Sequence, residues 1–187
     1  PKDPHNYVTV NGVVHNSEFG KICAKYPDKA KEVVTGSIPA VPTSGILIIE
    51  STAEGQEGAF YEMSERARAL QESGAKLSTK DYRFHFFPSW EAPEYVLPAC
   101  SVSISPVLLR YFTTIEGKIG RKLSDEQRAW YAATVDSDFS GDQSLMWQEY
   151  PSFPEEAFQV STEGCYYAEQ LSAARKAGRI IKGLPIL

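Results

Sequence analysis

The sequence predicts an α/β domain in its first half, followed by a smaller helical unit. Three observations carry that expectation. Residues 46–49 (ILII) form an unbroken apolar run between Gly45 and Glu50, which suits a short parallel strand buried on both faces. Phe60, Met63, Ala67 and Leu70 recur at three- and four-residue spacing ahead of Gly74, the pattern of an amphipathic helix. Tyr82, Phe84 and Phe86 then alternate with Arg83 and His85, so Asp81 to Phe87 reads as a second strand with His85 half-buried. Strand, helix, strand is the grammar of a βαβ sheet.

Taken in chain order, Tyr7 to Val14 (YVTVNGVV) is β-branched and aromatic around an Asn-Gly pair, and predicts a short strand or hairpin. Asp28 to Val34 reads as a helix behind Pro27, with Gly36 placed to close it. Beyond Pro88, Pro93, Pro98 and Pro106 break regularity, and Cys100 to Pro106 reads as a loop or short edge strand. A capping box at Ser124–Gln127 opens a helix that carries Ala129, Trp130 and Ala133. A second short helix is expected over Gln143 to Glu149. Glu155-Glu156 reads as a solvated helix start after Pro154, and Tyr167 to Ala177 as a last helix closed by Gly178. Trp90, Trp130 and Trp147 are expected to anchor the core rather than to stack on bases.

Bulk properties narrow the function classes. The 187 residues and 42% hydrophobic content suit one globular domain, or a core with an appendage. A formal net charge of −5 gives no global field that would draw DNA, so any nucleic-acid contact must be local. The basic group Arg175, Lys176, Arg179 and Lys182 reads first as a solvated helix face. Cys23, Cys100 and Cys165 are scattered and odd in number, which suits neither a zinc site nor a disulfide framework and fits a reducing cytoplasm. No apolar run approaches a membrane span, and no signal peptide is visible. Opening at Pro1 without a methionine, the chain reads as a piece of a longer reading frame.

His15-Asn16-Ser17 carries the first specific chemistry. An asparagine can attack its own peptide carbonyl through its side-chain amide, closing a succinimide and cutting the chain. A neighbouring histidine can protonate the leaving amine, and a hydroxyl on the next residue can hold an acyl group as an ester. The alternative is a His-Asn-Ser in an ordinary surface turn. The run HNYVTVNGVVHN followed by Ser17 resembles the C-terminal splicing motifs of inteins, in which one histidine stands ten positions ahead of the penultimate one, as His5 stands to His15. The resemblance implies that Asn16 cyclises, His15 is its acid, His5 assists, and Ser17 is the transesterification nucleophile and first C-extein residue. The N-terminal half of such an intein is not in this sequence. The chain alone is therefore expected at most to cleave slowly at Asn16-Ser17, or to splice in trans if the intein is split.

In open α/β sheets, ligands bind beyond the carboxyl ends of the strands. Polar residues fall there twice, at Ser17-Glu18 and at Glu50-Ser51-Thr52-Ala53-Glu54-Gly55. Helix capping would explain Ser51 and Thr52, though not the carboxylates that flank them. The blocks SEFGKICAKYPDKAKEVVTGSIPAV, GILIIESTAEGQEGAFYEM, FFPSWEAPEY, EQRAWY and MWQEYPSFPEEAF, in that order, resemble the ATPase domain of phage terminase large subunits. The resemblance covers essentially all of Ser17 to Leu187.

That resemblance implies a partial P-loop, RecA-like ATPase core with a small helical lid. Residues 1–16 would be the end of the intein, 17–90 the second half of the core, 91–165 the lid and linker, and 166–187 a helix leading to a nuclease domain. Glu18 would orient the water that attacks the γ-phosphate of ATP, with Ser17 and Glu18 beside Mg²⁺. The family's usual first acid of Walker B is a serine here, which weakens the metal site. Ser51, Thr52 and Ala53 would be the coupling motif that senses the γ-phosphate. No GxxxxGK[ST] loop occurs in the sequence, and the strand ahead of Ser17 is expected in the N-extein. The family further implies double-stranded DNA, a portal and a small terminase subunit as partners, a ring oligomer, and the cytoplasm of an infected bacterium. Two other readings are a split-intein precursor whose own activity is trans-splicing, and a non-catalytic structural protein of the virion.

Overall fold

The computed structural model describes residues 12–159 and Ala174. Val13 and Val14 are β-branched and pair readily, so Val13–Asn16 forms strand β1. It lies parallel to β2 (Ile46–Ile49), with Val13 opposite Ile46 and Asn16 opposite Ile49. The ladder continues one step at each end, through Ile46 N–H to Gly12 O at 3.0 Å and Glu50 N–H to Asn16 O at 3.0 Å. A parallel pair needs a long crossover, and here it consists of α1 (Phe19–Lys25), α2 (Pro27–Glu32) and a π-helical turn over Val33–Ser37. The chain is thus mixed α/β, as its pattern predicts.

In this chain the strand ahead of Ser17 is formed by residues 13–16. Two expectations for this half are corrected. The apolar run Ile46–Ile49 is not buried on both faces: Ile46 and Ile48 are 58% and 43% exposed, on a side of the sheet that no helix covers among the described residues. The α2 segment does not stop at Gly36 but unwinds into the π turn that ends at Ser37.

α3 (Ala59–Glu72) forms where the periodicity places it and buries Ala67. Asp81 to Phe87, by contrast, is not a strand. Tyr82, Phe84 and Phe86 keep their alternating half-burial, but the backbone joins no ladder, and Phe84 N–H donates instead to Gln71 Oε1. His85 is exposed and stacks on Phe87, which is itself 82% exposed.

The second half is helical: α4 (Pro106–Ile119), α5 (Asp125–Ser137), α6 (Gln143–Glu149) and the single turn α7 (Pro154–Ala157). α4 is an element that the sequence pattern had not predicted. Ser105 caps it through Leu108 N–H, Pro106 fits its first turn, and Gly120 ends it at φ 69°. Its buried stripe Leu108, Phe112 and Ile115 packs on Leu123, Tyr131, Val135 and Met146 to make the main core. The capping box of α5 is reciprocal, with Gln127 N–H to Ser124 Oγ at 3.2 Å and Ser124 N–H to Gln127 Oε1 at 3.1 Å. Trp130 stacks on Tyr95 at 4.3 Å between centroids, and Trp90 borders the same core.

The two halves are stitched by residues 151–158. Ser89 N–H reaches Pro151 O at 3.1 Å, and Trp90 Nε1–H reaches Ser152 O at 3.1 Å. Phe158 then packs against Phe60 and Tyr61 of α3, while Arg68 pairs with Glu155 at 3.0 Å. Glu156 is not the solvated helix residue expected beside Pro154; it is 9% exposed and turned into the core. Among the described residues, no helix is long and apolar enough to cross a membrane. The helix expected over Tyr167 to Ala177, apart from Ala174, lies outside the described residues.

Candidate functional site

The carboxyl ends of β1 and β2 come out side by side, and most of the sequence-predicted site residues gather there. β1 ends because Ser17 and Glu18 turn the chain. Glu18 adopts the left-handed region (φ 56°, ψ 28°), and Phe19 then opens α1. Phe19 is fully buried, meets Phe60 edge-on at 6.5 Å, and donates its N–H to Glu50 O at 3.2 Å. Those contacts lock the turn after β1 onto the end of β2.

At this edge the junction residues have specific partners. His15 Nε2 lies 3.0 Å from Glu50 Oε1. The carbonyl oxygen of Asn16, on the peptide bond to Ser17, accepts the Glu50 N–H at 3.0 Å. Successive strand residues face opposite sides, so the exposed imidazole and the half-buried Asn16 amide flank the same peptide from two directions. Ser17 is exposed in the turn. His5 lies outside the described residues.

Ser51 and Thr52 follow Glu50 directly. They do not cap a helix, since α3 begins only at Ala59 with Gly58 in the cap position. Among the described residues, Asn16 Nδ2, Ser51 Oγ and Thr52 Oγ1 are buried side-chain atoms without a hydrogen-bond partner. Buried polar groups are normally satisfied, so these three atoms on adjoining strand ends are the ones that a ligand or water at this edge would meet. Gly20 closes this locus from the α1 side. A Cβ there would stand 2.8 Å from Thr52 O and 2.9 Å from Ser51 Oγ. Ala53 turns the other way, into a small cluster with Ala157 and Phe158.

Glu18 is close in sequence but differently engaged. Its carboxylate pairs with Lys21 at 2.9 Å with over half its side chain exposed, and this contact raises the Lys21 ammonium pKa. Among the described residues, no three of His, Cys, Asp and Glu gather in a metal-binding group. The unpaired hydroxyls of Ser51 and Thr52 suit phosphate or a water in chemistry, whereas the present donors offer neither a backbone phosphate cradle nor a carboxylate set for Mg²⁺.

Glu50, Gly20 and Lys21 carry weight here that their sequence context scarcely announces. Glu50 is legible as one of the carboxylates flanking Ser51-Thr52, but not as the partner of His15. A second polar cluster lies in the helical half. Glu156 accepts Tyr111 O–H at 3.0 Å and Ser152 N–H at 2.8 Å, with burial pushing the carboxyl upward and these bonds opposing it. No family model matches the chain, and neither a curated protein nor a solved structure matches it.

Proposed function

We propose that residues from Ser17 onward are a piece of a viral DNA-packaging motor of the terminase large subunit type, carried in a precursor whose intein ends at Asn16. The observation that supports this most is the meeting of two sequence blocks at one sheet edge. His15-Asn16-Ser17-Glu18 ends β1, and Glu50-Ser51-Thr52 ends β2, in parallel register. A motor ATPase needs its water-orienting and phosphate-sensing groups at adjoining strand ends, and a splice junction needs a nucleophilic amide and an acid around one peptide.

On this reading β2 is the strand that this segment contributes to a P-loop, RecA-like core, and α4 to α6 are the lid. β1 holds the place that an N-extein strand takes once the junction has been processed. Ser17 then serves first as acyl acceptor and later as the residue beside Glu18. ATP with Mg²⁺ would supply the phosphoryl group that drives translocation. The donors of this chain do not complete a site for it, so the phosphate cradle falls to other parts of the protein. Double-stranded DNA, a portal and a small subunit are the partners that the motor reading entails.

The test is expression of the complete reading frame, followed by intact mass and DNA-stimulated ATP hydrolysis. The reading expects excision of the intervening segment, a joined product beginning its second part at Ser17, and turnover that drops at least about a hundredfold in Glu18→Gln. A precursor that stays whole sinks the splicing half alone. A joined product without ATP turnover sinks the motor.

A further inference from the structure

We infer that Glu50, on the extein side of the junction, is a positioning residue for cleavage at Asn16-Ser17, its carboxylate orienting the His15 imidazole that protonates the departing amine. The inference rests on the proposed splice junction and adds to it a residue from outside the splicing segment.

Three geometric facts carry it. The Glu50 carboxylate is 3.0 Å from His15 Nε2. With Nε2–H donated to that carboxylate, the ring presents Nδ1, the nitrogen nearer the backbone, for proton transfer. The Glu50 backbone is fixed next to the same bond, because its N–H donates to Asn16 O at 3.0 Å and its carbonyl accepts Phe19 N–H at 3.2 Å. A donor on a carbonyl oxygen that gains negative charge favours the tetrahedral intermediate. Lastly, Asn16 Nδ2, the attacking atom, is buried beside this bond and makes no hydrogen bond to the described residues.

The step balances without any co-reactant. Asn16 Nδ2 forms a bond to its own carbonyl carbon, and the C–N bond to Ser17 breaks. The Ser17 nitrogen takes a proton from the imidazolium of His15, and the proton shed by Nδ2 restores it. The products are a succinimide at residue 16 and a free α-amine at Ser17. The carboxylate of Glu50 stays unchanged throughout and fixes the orientation of the ring, as a carboxylate does for the histidine of a catalytic triad. Because Glu50 is placed by β2 and by Phe19, the junction becomes competent only when the extein strand has docked.

The experiment is an intact-mass time course of the purified 187-residue chain across pH 5–9. Wild type is compared with Asn16→Ala, Glu50→Ala and Glu50→Gln, and folding of each is checked by circular dichroism melting. The expected result is loss of the first sixteen residues from wild type but not from Asn16→Ala. Glu50→Ala cleaves about tenfold slower or less, a share of what an acid catalyst contributes. Glu50→Gln, which keeps an acceptor but not the charge, recovers part of the rate with a displaced pH profile. A merely structural role would leave the profile where it was. Cleavage of Glu50→Ala at the wild-type rate and pH profile overturns the role of Glu50 and leaves the junction standing. The same series is run in the complete reading frame, which supplies the intein's other half, and wild type that stays whole there at every pH overturns both.

Discussion

Gly20 faces Thr52 so closely that a methyl group on its α-carbon would stand 2.8 Å from the Thr52 carbonyl oxygen. Two effects compete in Gly20→Ala. Alanine raises helix propensity by up to about 1 kcal/mol, but overpacking against a backbone atom costs about 1–3 kcal/mol. Ser51 Oγ at 2.9 Å and the Phe60 ring at 3.1 Å leave no direction of easy relief. The variant is therefore expected to unfold at lower urea concentration than wild type, with an unchanged m-value. A gain in stability would show that α1 does not hold this distance from the Ser51-Thr52 loop.

Glu18 makes the opposite case, a side chain where glycine would be easier. Its φ of 56° lies in the region that non-glycine residues avoid at about 1–2 kcal/mol. Glu18→Gly and Glu18→Ala both lose the Lys21 pair, so comparing them isolates the backbone. Glycine is expected to be the more stable by about 1 kcal/mol in chemical denaturation. Equal stabilities would remove the strain, and with it the argument that a carboxylate is kept there for use.

Local chemistry is what the sequence makes legible. Ser124 and Gln127 announce their helix because both halves of the capping box lie within four residues, and Gln143–Glu149 follows from the same kind of short-range signal. Pairing is harder to read, since it depends on distant chain. Asp81 to Phe87 has the alternation of a strand, yet only a partner could make it one. The α4 helix carries Ser105, Pro106 and a Leu108–Phe112–Ile115 stripe, but attention to prolines as breakers passes over a proline that starts a helix. In the site, the chemistry of His15-Asn16-Ser17 can be read from adjacent residues. The contact with Glu50 cannot, because 35 positions and a helical crossover separate them and only the ladder register brings them together (50 − 15 = 35).

Glu116 predicts how the helical half responds to acid. It is buried, and burial alone would raise its carboxyl. Hydrogen bonds from Arg128, from Lys122 at 2.8 Å and from Leu123 N–H at 3.1 Å outweigh that and hold it at about 2, against an ordinary 4.5. A depressed carboxylate stabilises the fold above its unfolded value, and that stability is lost as pH falls from 4.5 towards 2. Urea titrations from pH 7 to 2 should show this slope, and Glu116→Gln should flatten it. The substitution should also cost roughly 1–3 kcal/mol at pH 7, since the half-buried Arg128 keeps only the exposed Asp125 as a charged partner.

Glu156 is expected to behave with the reverse sign. Burial raises its carboxyl above 4.5, more than the bonds from Ser152 N–H and Tyr111 O–H and the charge of Lys118 lower it. A raised carboxyl contributes stability that is fully present below 4.5 and is lost as pH rises through the folded value. Glu156→Gln keeps an acceptor for the Tyr111 hydroxyl and removes the buried charge. Its stability at pH 7 should equal or exceed that of wild type, and the neutral-side slope should vanish. Glu156→Ala would instead strand Ser152 N–H and leave the Tyr111 hydroxyl with the Ser152 hydroxyl at 3.2 Å, costing about 1–3 kcal/mol at every pH. Because α7 carries Glu156 while Phe158 packs on Phe60 and Tyr61, this loss should also loosen the join between the two halves. Hydrogen exchange at Ser89 and Ser152, whose amides hold that join, is the direct readout. Faster exchange in Glu156→Ala with wild-type exchange in Glu156→Gln is the expected pair, and equal exchange in both would detach the carboxyl cluster from the stitching of the fold.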